Sequence, residues 1–462
     1  MSSVESLFVA RQGKSSRPIL GLRRAELSRW LKAQRAFTKS WVSQVGFKAK
    51  PGELLLLPSR DGALERVLLG LSEEHDLFDW AGLHGKLPAG RYHIENDLEA
   101  SPSDGAALGW ALGSYRFDRY KPKGSTKKSS LTWPRAADPA RVTRLFEATC
   151  LARDLINTPA GDMGPTALAD AAQALAKQHG ARARVVVGDQ LLKQNYPAIH
   201  AVGRAASDAP RLIDLTWGDA AHPKLTLVGK GVCFDTGGLD IKPADSMKLM
   251  KKDMGGAALM LGLAHVVMSA GLPVRLRVLI PAVENSVAGN AYRPMDVLTT
   301  RKGLTVEVGH TDAEGRLVLA DALAEADSED PDLLLDAATL TGAARVALGA
   351  ELPALFTPDD ELAQELLSAG RRAQDPLWRL PLFEAYRDQI RTPVADLNNQ
   401  GGPLGGAITA ALFLQSFVSK GRRWAHIDTM AWNVRGRPGR PVGGEAFALR
   451  ALASLLSERY GT

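Results

Sequence analysis

The sequence predicts an α/β protein in two parts: a smaller N-terminal α/β domain, then a larger α/β domain with a central, mostly parallel mixed sheet flanked by helices. Three observations predict this. The chain has 462 residues, more than one ordinary hydrophobic core holds. From about residue 181 onward, β-rich runs alternate with helical runs. Several of those runs are apolar at nearly every position, the pattern of strands buried on both faces of a parallel sheet.

Taken in order, the first part (1–135) carries short strand candidates at 53–58, 65–71 and 91–94, with a helical segment at 103–117. The stretch "KPKGSTKKSSLTWPRAADP" (121–139) is polar and rich in Lys, Ser and Pro, and reads as a linker. A long helix opens near Asp138–Pro139, with Asp at the cap and Pro in the first turn, and runs to about Asn157. There "NTPAGDMGPT" breaks it. In the second part (136–462) strands are expected at 183–188, 211–217, 224–229, 274–283, 305–309, 332–338 and 424–430. Helices at 255–270 and 316–327 lie between them. Chemistry in such sheets sits at the carboxyl ends of the strands.

Apolar residues make up 45% of the chain and charged residues 23%, a globular balance. Cys150 and Cys233 are too few for a disulfide framework or a cysteine metal cluster, and fit a reducing, cytoplasmic setting. The N-terminal segment lacks the uninterrupted apolar core of a signal peptide. The most apolar run, "GGAALMLGLAHVVMSAGLPV", contains His265, Ser269 and Pro273 and reads as a buried helix, so no membrane is expected. The net charge of +6 permits nucleic-acid contact. The basic residues are scattered, however, apart from "KPKGSTKK" (121–128) and "RGRPGR" (435–440), which read as solvated loops; nucleic acid is not an expected partner.

Three stretches bring acids or lysines to strand–helix junctions. "VGKGVCFDTGGLDIKP" (228–243) offers Lys230, Asp235, Asp240 and Lys242. "MKLMKKDMGGAA" (247–258) offers Asp253 ahead of Gly-Gly and a helix. "HTDAEGRL" (310–317) offers Asp312 and Glu314, which share one face if that segment is extended. Taken singly, each has an ordinary reading: D-x-E as a helix cap, Lys230 as a surface lysine, Asp235 as a turn residue. Together, carboxylates converging at the end of a buried sheet need protonation or a cation. A pair of divalent metals about 3.5–4 Å apart resolves the repulsion and makes a hydrolytic site.

Those stretches, with "AATLTGA" (337–343), occur in an order that resembles the signature of the leucine aminopeptidase family, the two-metal cytosolic aminopeptidases. The resemblance runs from about 145 to 435 and includes "ARDLINTPAGDMGPT" and "NSVAGNAYRPMDVL". It implies that the second domain is catalytic and removes N-terminal residues, leucine or other apolar ones by preference, from peptides. It implies a metal set of Lys230, Asp235, Asp253, Asp312 and Glu314, holding two divalent ions: Mn or Zn, with Mg and Co also suited to such donors. Lys230 would ligate as the neutral amine, its pKa driven down by burial and by the cations. Lys242 would polarise the substrate, and Arg316 would hold a bicarbonate that shuttles the proton. Met250, Thr339 and Gly342 would line the pocket for the first side chain, and the Leu340 carbonyl would hold the backbone. It further implies a homohexamer, a dimer of trimers.

The sequence departs from the family at several points. His310 stands where Asn is usual, either beside the metal shell or as a packing residue; Asp336 also stands where Asn is common. Trp432, in "TMAW", is placed to narrow the pocket rim. Cys233 reads as a buried small residue, and His426 and Asp428 read as structural. Alternative activities are a dipeptidase or Cys-Gly peptidase at the same site, or DNA binding.

Overall fold

A computed structural model describes residues 4–74, 76–121 and 129–461. The chain divides into two compact units, 1–150 with 435–442, and 151–434 with 443–462.

The first unit is built on a six-stranded sheet in the order Phe8–Val9, Ser129–Thr132, Gly90–Ile94, Arg17–Leu22, Leu64–Gly70, Leu54–Pro58. Its pairings are parallel except the last. Three of these strands match the expected runs to within a residue or two, and the helix expected at 103–117 is Ala100–Ser114. The strand Ser129–Thr132 falls in the predicted linker, whose residues 122–128 lie outside the described residues. Its alternating burial supplies Leu131 to the core, a pattern too short to stand out in a Ser- and Lys-rich stretch. The "RGRPGR" segment is not simply a solvated loop: the Arg440 guanidinium sits 4.2 Å from the centre of the Phe78 ring.

The second unit holds a nine-stranded mixed sheet. Five strands run parallel to one another: Lys224–Gly229, Gly231–Asp235, Arg275–Asn285, Leu333–Ala338 and Trp424–Asp428. On one side Arg211–Trp217 runs antiparallel to them and Arg182–Val187 antiparallel to it in turn; on the other side Ala354–Phe356 runs antiparallel. The five parallel strands therefore open at the same edge of the sheet. The run expected at 305–309 forms only Thr305–Glu307, in a separate three-stranded sheet. Residues 308–313 turn instead of extending, and the next helix, Glu314–Asp327, starts two residues earlier than expected.

The helix Gly255–Ala270 is apolar all round because it is buried all round: every residue from Gly255 to Met268 is buried. Its glycines set the approach. A Cβ on Gly256 would lie 2.1 Å from the Ala337 carbonyl oxygen, and one on Gly229 would lie 2.6 Å from Ala257 Cα. Only at these contacts can the helix start rest directly on two strand ends, which is the physical demand behind Gly-Gly after Asp253.

Helix Glu314–Asp327 also carries Asp321, fully buried, whose carboxylate accepts the backbone N–H groups of Ala198 (2.8 Å), Ile199 (3.1 Å) and Arg301 (2.8 Å). It ties the start of helix Pro197–Gly203 and the turn at Arg301 to the helix beneath the site. Asp321→Ala would strand two buried donors and a half-buried one and is expected to cost on the order of 3 kcal/mol, seen as a lower denaturation midpoint in urea.

Candidate metal centre

The opening edge of the five parallel strands collects the predicted residues. Lys230 bridges two strands, at the end of Lys224–Gly229. Asp235 ends its strand, and Asn285 ends the neighbouring one. Thr339 follows Leu333–Ala338, and Asp428 ends Trp424–Asp428. Asp253 lies between a 3-10 turn, Met250–Lys252, and the buried helix; Asp312 lies in the turn before helix Glu314–Asp327, which Glu314 begins.

Lys230, Asp235, Lys242, Met250, Asp253, Asp312, Glu314, Arg316, Thr339, Leu340 and Gly342, every site residue predicted from the sequence, line one cavity of about 460 Å³. Oxygen atoms of Asp235, Asp312 and Glu314 lie within 4.8 Å of one another. Lys230 Nζ is 2.7 Å from Asp253 Oδ2 and 2.9 Å from Glu314 Oε1, and donates to the Thr339 carbonyl at 3.1 Å. Lys242 Nζ is 2.8 Å from Asp235 Oδ2 and also pairs with Asp312. Asp312 and Glu314 converge not by strand alternation, as an extended segment would require, but because the chain turns at 311–312 and enters a helix.

Crowding sets the electrostatics. Burial and the charge of Asp235 push the Glu314 carboxyl up to about 8 and that of Asp312 up to about 6. Asp253 moves the other way: burial opposes ionisation, but Lys230 and Lys252 hold it below the usual carboxylate range. Lys230 lies above the ordinary lysine range, because Asp253 and Glu314 outweigh the burial that would lower it. Divalent cations beside the amine would act with burial and favour its neutral, ligating form. Burial pulls the Arg316 guanidinium down to about 10, still charged near neutrality.

Second-layer contacts aim these groups. Asp235 Oδ1 accepts from Gly237 N (2.9 Å) and Asn285 Nδ2 (2.8 Å), which leaves Oδ2 facing the cavity. Gly237 has φ +89°, where a side chain is strained, and a Cβ there would meet the Asp240 carbonyl oxygen at 2.5 Å. Asp240 is not among the cavity-lining residues: its Oδ2 accepts the Thr311 N–H at 2.7 Å. Thr311 Oγ1 in turn donates to the Gly237 carbonyl at 2.6 Å, pinning the two acidic turns together. Asp253 Oδ1 accepts from Thr339 Oγ1 at 2.7 Å.

Of the residues that depart from the family, His310 does not line the cavity; its Nδ1 accepts the Asp312 N–H at 3.1 Å and shapes that turn. Trp432 does not narrow the rim as expected. It is buried beneath Lys251, 5.5 Å from its ring centre, and Thr429 and Met430 line the cavity instead. Asp336 accepts from Trp424 Nε1 at 2.7 Å and pairs with His426 at 2.5 Å, a buried polar pair inside the sheet. Cys233 is buried, its thiol pushed well up by burial.

Sequence reasoning missed the part played by Asp428. Its carboxylate accepts from Leu340 N (3.0 Å), Thr341 N (3.3 Å) and Thr341 Oγ1 (2.6 Å), and so fixes the turn lining one side of the cavity. No spacing signal marks it, because its partners are 87 and 88 residues away. Also missed were Lys252, Arg345 and the 400–403 loop.

An α/β unit with buried carboxylates and lysines gathered at one strand edge has the make-up of a hydrolase site. Comparison with known proteins narrows that class. Residues 150–453 match the model of the cytosol aminopeptidase family, catalytic domain, and residues 17–134 match the M17 aminopeptidase N-terminal domain. The chain is 39% identical over 452 residues to a probable cytosol aminopeptidase of Nitrosospira multiformis, covering 89% of this chain and 87% of that one. It is 42% identical over 347 residues to peptidase B of Serratia proteamaculans (72% and 80% covered). Among solved structures, cytosol aminopeptidase from Coxiella burnetii superposes with a TM-score of 0.94 at 51% identity, covering 98% of this chain and 99% of that one. The bottromycin maturation enzyme BotP, in complex with Mn, gives 0.87 at 37% identity, covering 96% and 100%. The chain belongs to the M17 cytosol aminopeptidase family, the leucine aminopeptidases, and is a peptidase hydrolase.

Two substitutions test the framework. A Cβ on Gly315 would lie 2.5 Å from Lys230 Cε and 2.7 Å from its Nζ, with no room to yield in a buried cluster. Gly315→Ala is expected to lower kcat/KM about 100-fold, the scale of an ångström of misplacement, with a far smaller change in far-UV circular dichroism. Asp428→Ala leaves two half-buried N–H donors unpaired, and a loss of about tenfold in kcat/KM is expected together with a lower Tm.

Proposed function

We propose that this protein is a two-metal aminopeptidase that releases N-terminal residues from peptides, with bicarbonate-assisted proton transfer. The observation that carries the reading is the convergence of Asp235, Asp312 and Glu314 within 4.8 Å, in a cavity that also presents Asp253, Lys230, Lys242 and Arg316.

The residues fit the cations. Glu314 Oε2 is buried with no hydrogen-bond partner among the described residues, an acceptor aimed where a cation satisfies it. The donor set, Asp235, Asp253, Asp312, Glu314 and the Lys230 amine, is oxygen-rich with one nitrogen, suited to Mn or Zn, and to Mg or Co. Four carboxylates balance two divalent charges, and Lys230 ligates once it gives up its proton. The bound ions would supply Lewis-acid polarisation of the scissile carbonyl and activation of water.

The remaining roles follow from the side chains. Lys242, held above the ordinary lysine range by Asp235 and Glu314 against the opposing effect of burial, stays cationic and faces the developing oxyanion. Arg316 donates from Nη1 to the Asn399 carbonyl, and its Nε is buried without a partner among the described residues. That spare planar donor edge suits bicarbonate, which would take and return the proton. Thr339, Leu340 and Gly342 line the side held by Asp428, and Met250 gives the pocket an apolar wall of the kind leucine would meet. We place the enzyme in the cytoplasm as a homohexamer, a dimer of trimers, on the family resemblance.

Chelation is expected to abolish hydrolysis of leucine p-nitroanilide, and re-addition of Mn or Zn to restore it, with two ions bound per chain by elemental analysis. Activity that survives exhaustive chelation, or saturation at one ion, overturns the two-metal reading.

A further inference from the structure

Asn399 is fully buried and stands just ahead of the cavity-lining residues 400–403. It follows the short strand Leu397–Asn398, which runs parallel to Thr305–Glu307. Its N–H extends that ladder by one more bond, to the Glu307 carbonyl at 3.1 Å. Past Glu307 the neighbouring chain leaves the sheet and turns toward Asp312. The Asn399 side chain takes over where the ladder ends. Its Oδ1 accepts the N–H groups of Gly309 (2.7 Å) and His310 (3.2 Å). Its Nδ2 donates to the carbonyls of His310 (2.9 Å) and Ala313 (3.3 Å). One side-chain amide thus spans the turn that carries Asp312, pairing as the peptide group of an adjacent strand would. Glycine at 309 permits the approach, since a Cβ there would lie 2.3 Å from Asn398 Oδ1.

The same residue reaches Arg316 from its main chain, because the Asn399 carbonyl is the acceptor for Arg316 Nη1. This second tie matters because the two site residues stand on different backbone. Helix Glu314–Asp327 carries Arg316, but Asp312 lies ahead of its first residue and is not held by the helix. Only a carboxamide satisfies all four partners at the turn. A carboxylate would set an oxygen against two carbonyls, and an apolar side chain would leave two N–H groups and two carbonyls unpaired.

We propose that Asn399 is a positioning residue that holds the metal-binding turn of Asp312 and the guanidinium of Arg316 in register with each other. It does not line the cavity, and acts through those two groups. The inference rests on the two-metal reading above, to which it adds the part that fixes the proton-transfer side of the site against the metal side.

The test compares the wild type with Asn399→Asp, Asn399→Ala, Arg316→Ala and the Asn399→Asp/Arg316→Ala double variant. One readout is hydrolysis of leucine p-nitroanilide by the metal-loaded chain. The other is calorimetric titration of Mn into the metal-free chain, which needs no turnover. Each Asn399 variant should lower kcat by about tenfold or more, the scale of a lost outer ligand contact. KM should change less than about twofold, since the groups being positioned serve the transition state. On the Arg316→Ala background, Asn399→Asp should cost less than about threefold, because part of its effect runs through the arginine already removed. A merely structural loss would multiply in full. Asn399→Asp should also weaken one of the two Mn ions by about tenfold or more. Asn399→Ala serves where the aspartate variant does not fold, as it introduces no charge. The proposal is overturned if variants with the wild-type far-UV circular dichroism bind Mn with unchanged affinity. It is equally overturned if the kcat losses multiply in full in the double variant. A wild type that cleaves no leucine p-nitroanilide would defeat the aminopeptidase reading itself, and the Mn titration would still decide the part played by Asn399.

Discussion

Four carboxylates forced toward one point are the constraint from which the second unit is built. Asp235, Asp253, Asp312 and Glu314 cannot share a buried edge of a sheet without opposite charge between them. The fold meets that demand in two ways. It places Lys230 and Lys242 among the acids, at ion-pair distance from all four. It also leaves acceptor atoms such as Glu314 Oε2 without a protein partner, so that a cation has something to gain by entering. The same crowding, with burial, pushes the Glu314 and Asp312 carboxyls upward.

Holding such a cluster in place requires rigidity in its surroundings, and the chain obtains it from short polar ties and close backbone approaches. Five parallel strands end together, so residues distant in sequence arrive at one edge. Gly256 lets the buried helix touch the Ala337 carbonyl, and Gly315 leaves room for the Lys230 side chain. Thr311 and Asp240 fasten one acidic turn to the other, while Asp428 fastens the Leu340–Thr341 turn from behind. None of these ties touches a reacting atom, yet each limits the positional freedom of a group that does. The cavity that results is lined by the acids and their lysines, and also by Lys252 and Arg345.

Much of this was legible from residues in sequence. The runs at 224–229 and 332–338 announced central strands because they are apolar on both faces, and the motifs around Lys230, Asp253 and Asp312 announced the cavity because they fall at strand ends. Other features were not legible. The segment 308–313 reads as extended by its alternation but turns, since Thr311 finds its partners in Asp240 and Gly237 rather than along a neighbouring strand. Trp432 reads as a rim residue but is buried under Lys251. Ser129–Thr132 joins a sheet although its composition resembles a linker, because a parallel neighbour on each side supplies the hydrogen bonds that composition cannot reveal.

By itself the sequence determined the fold class and, among the charged residues that line the cavity, Lys230, Asp235, Lys242, Asp253, Asp312, Glu314 and Arg316. These depend on residue chemistry and local spacing, and both are written in the chain. Only the tertiary structure decided which long-range partners those groups have. It made Asp428 the anchor of a turn nearly ninety residues away, set His310 behind its turn, and turned Lys252 into a cavity-facing cation rather than a solvated lysine. The reason is that burial and pairing are properties of the space between elements. A charge next to a known ligand in sequence has no fixed meaning until the packing of distant strands determines what stands opposite it.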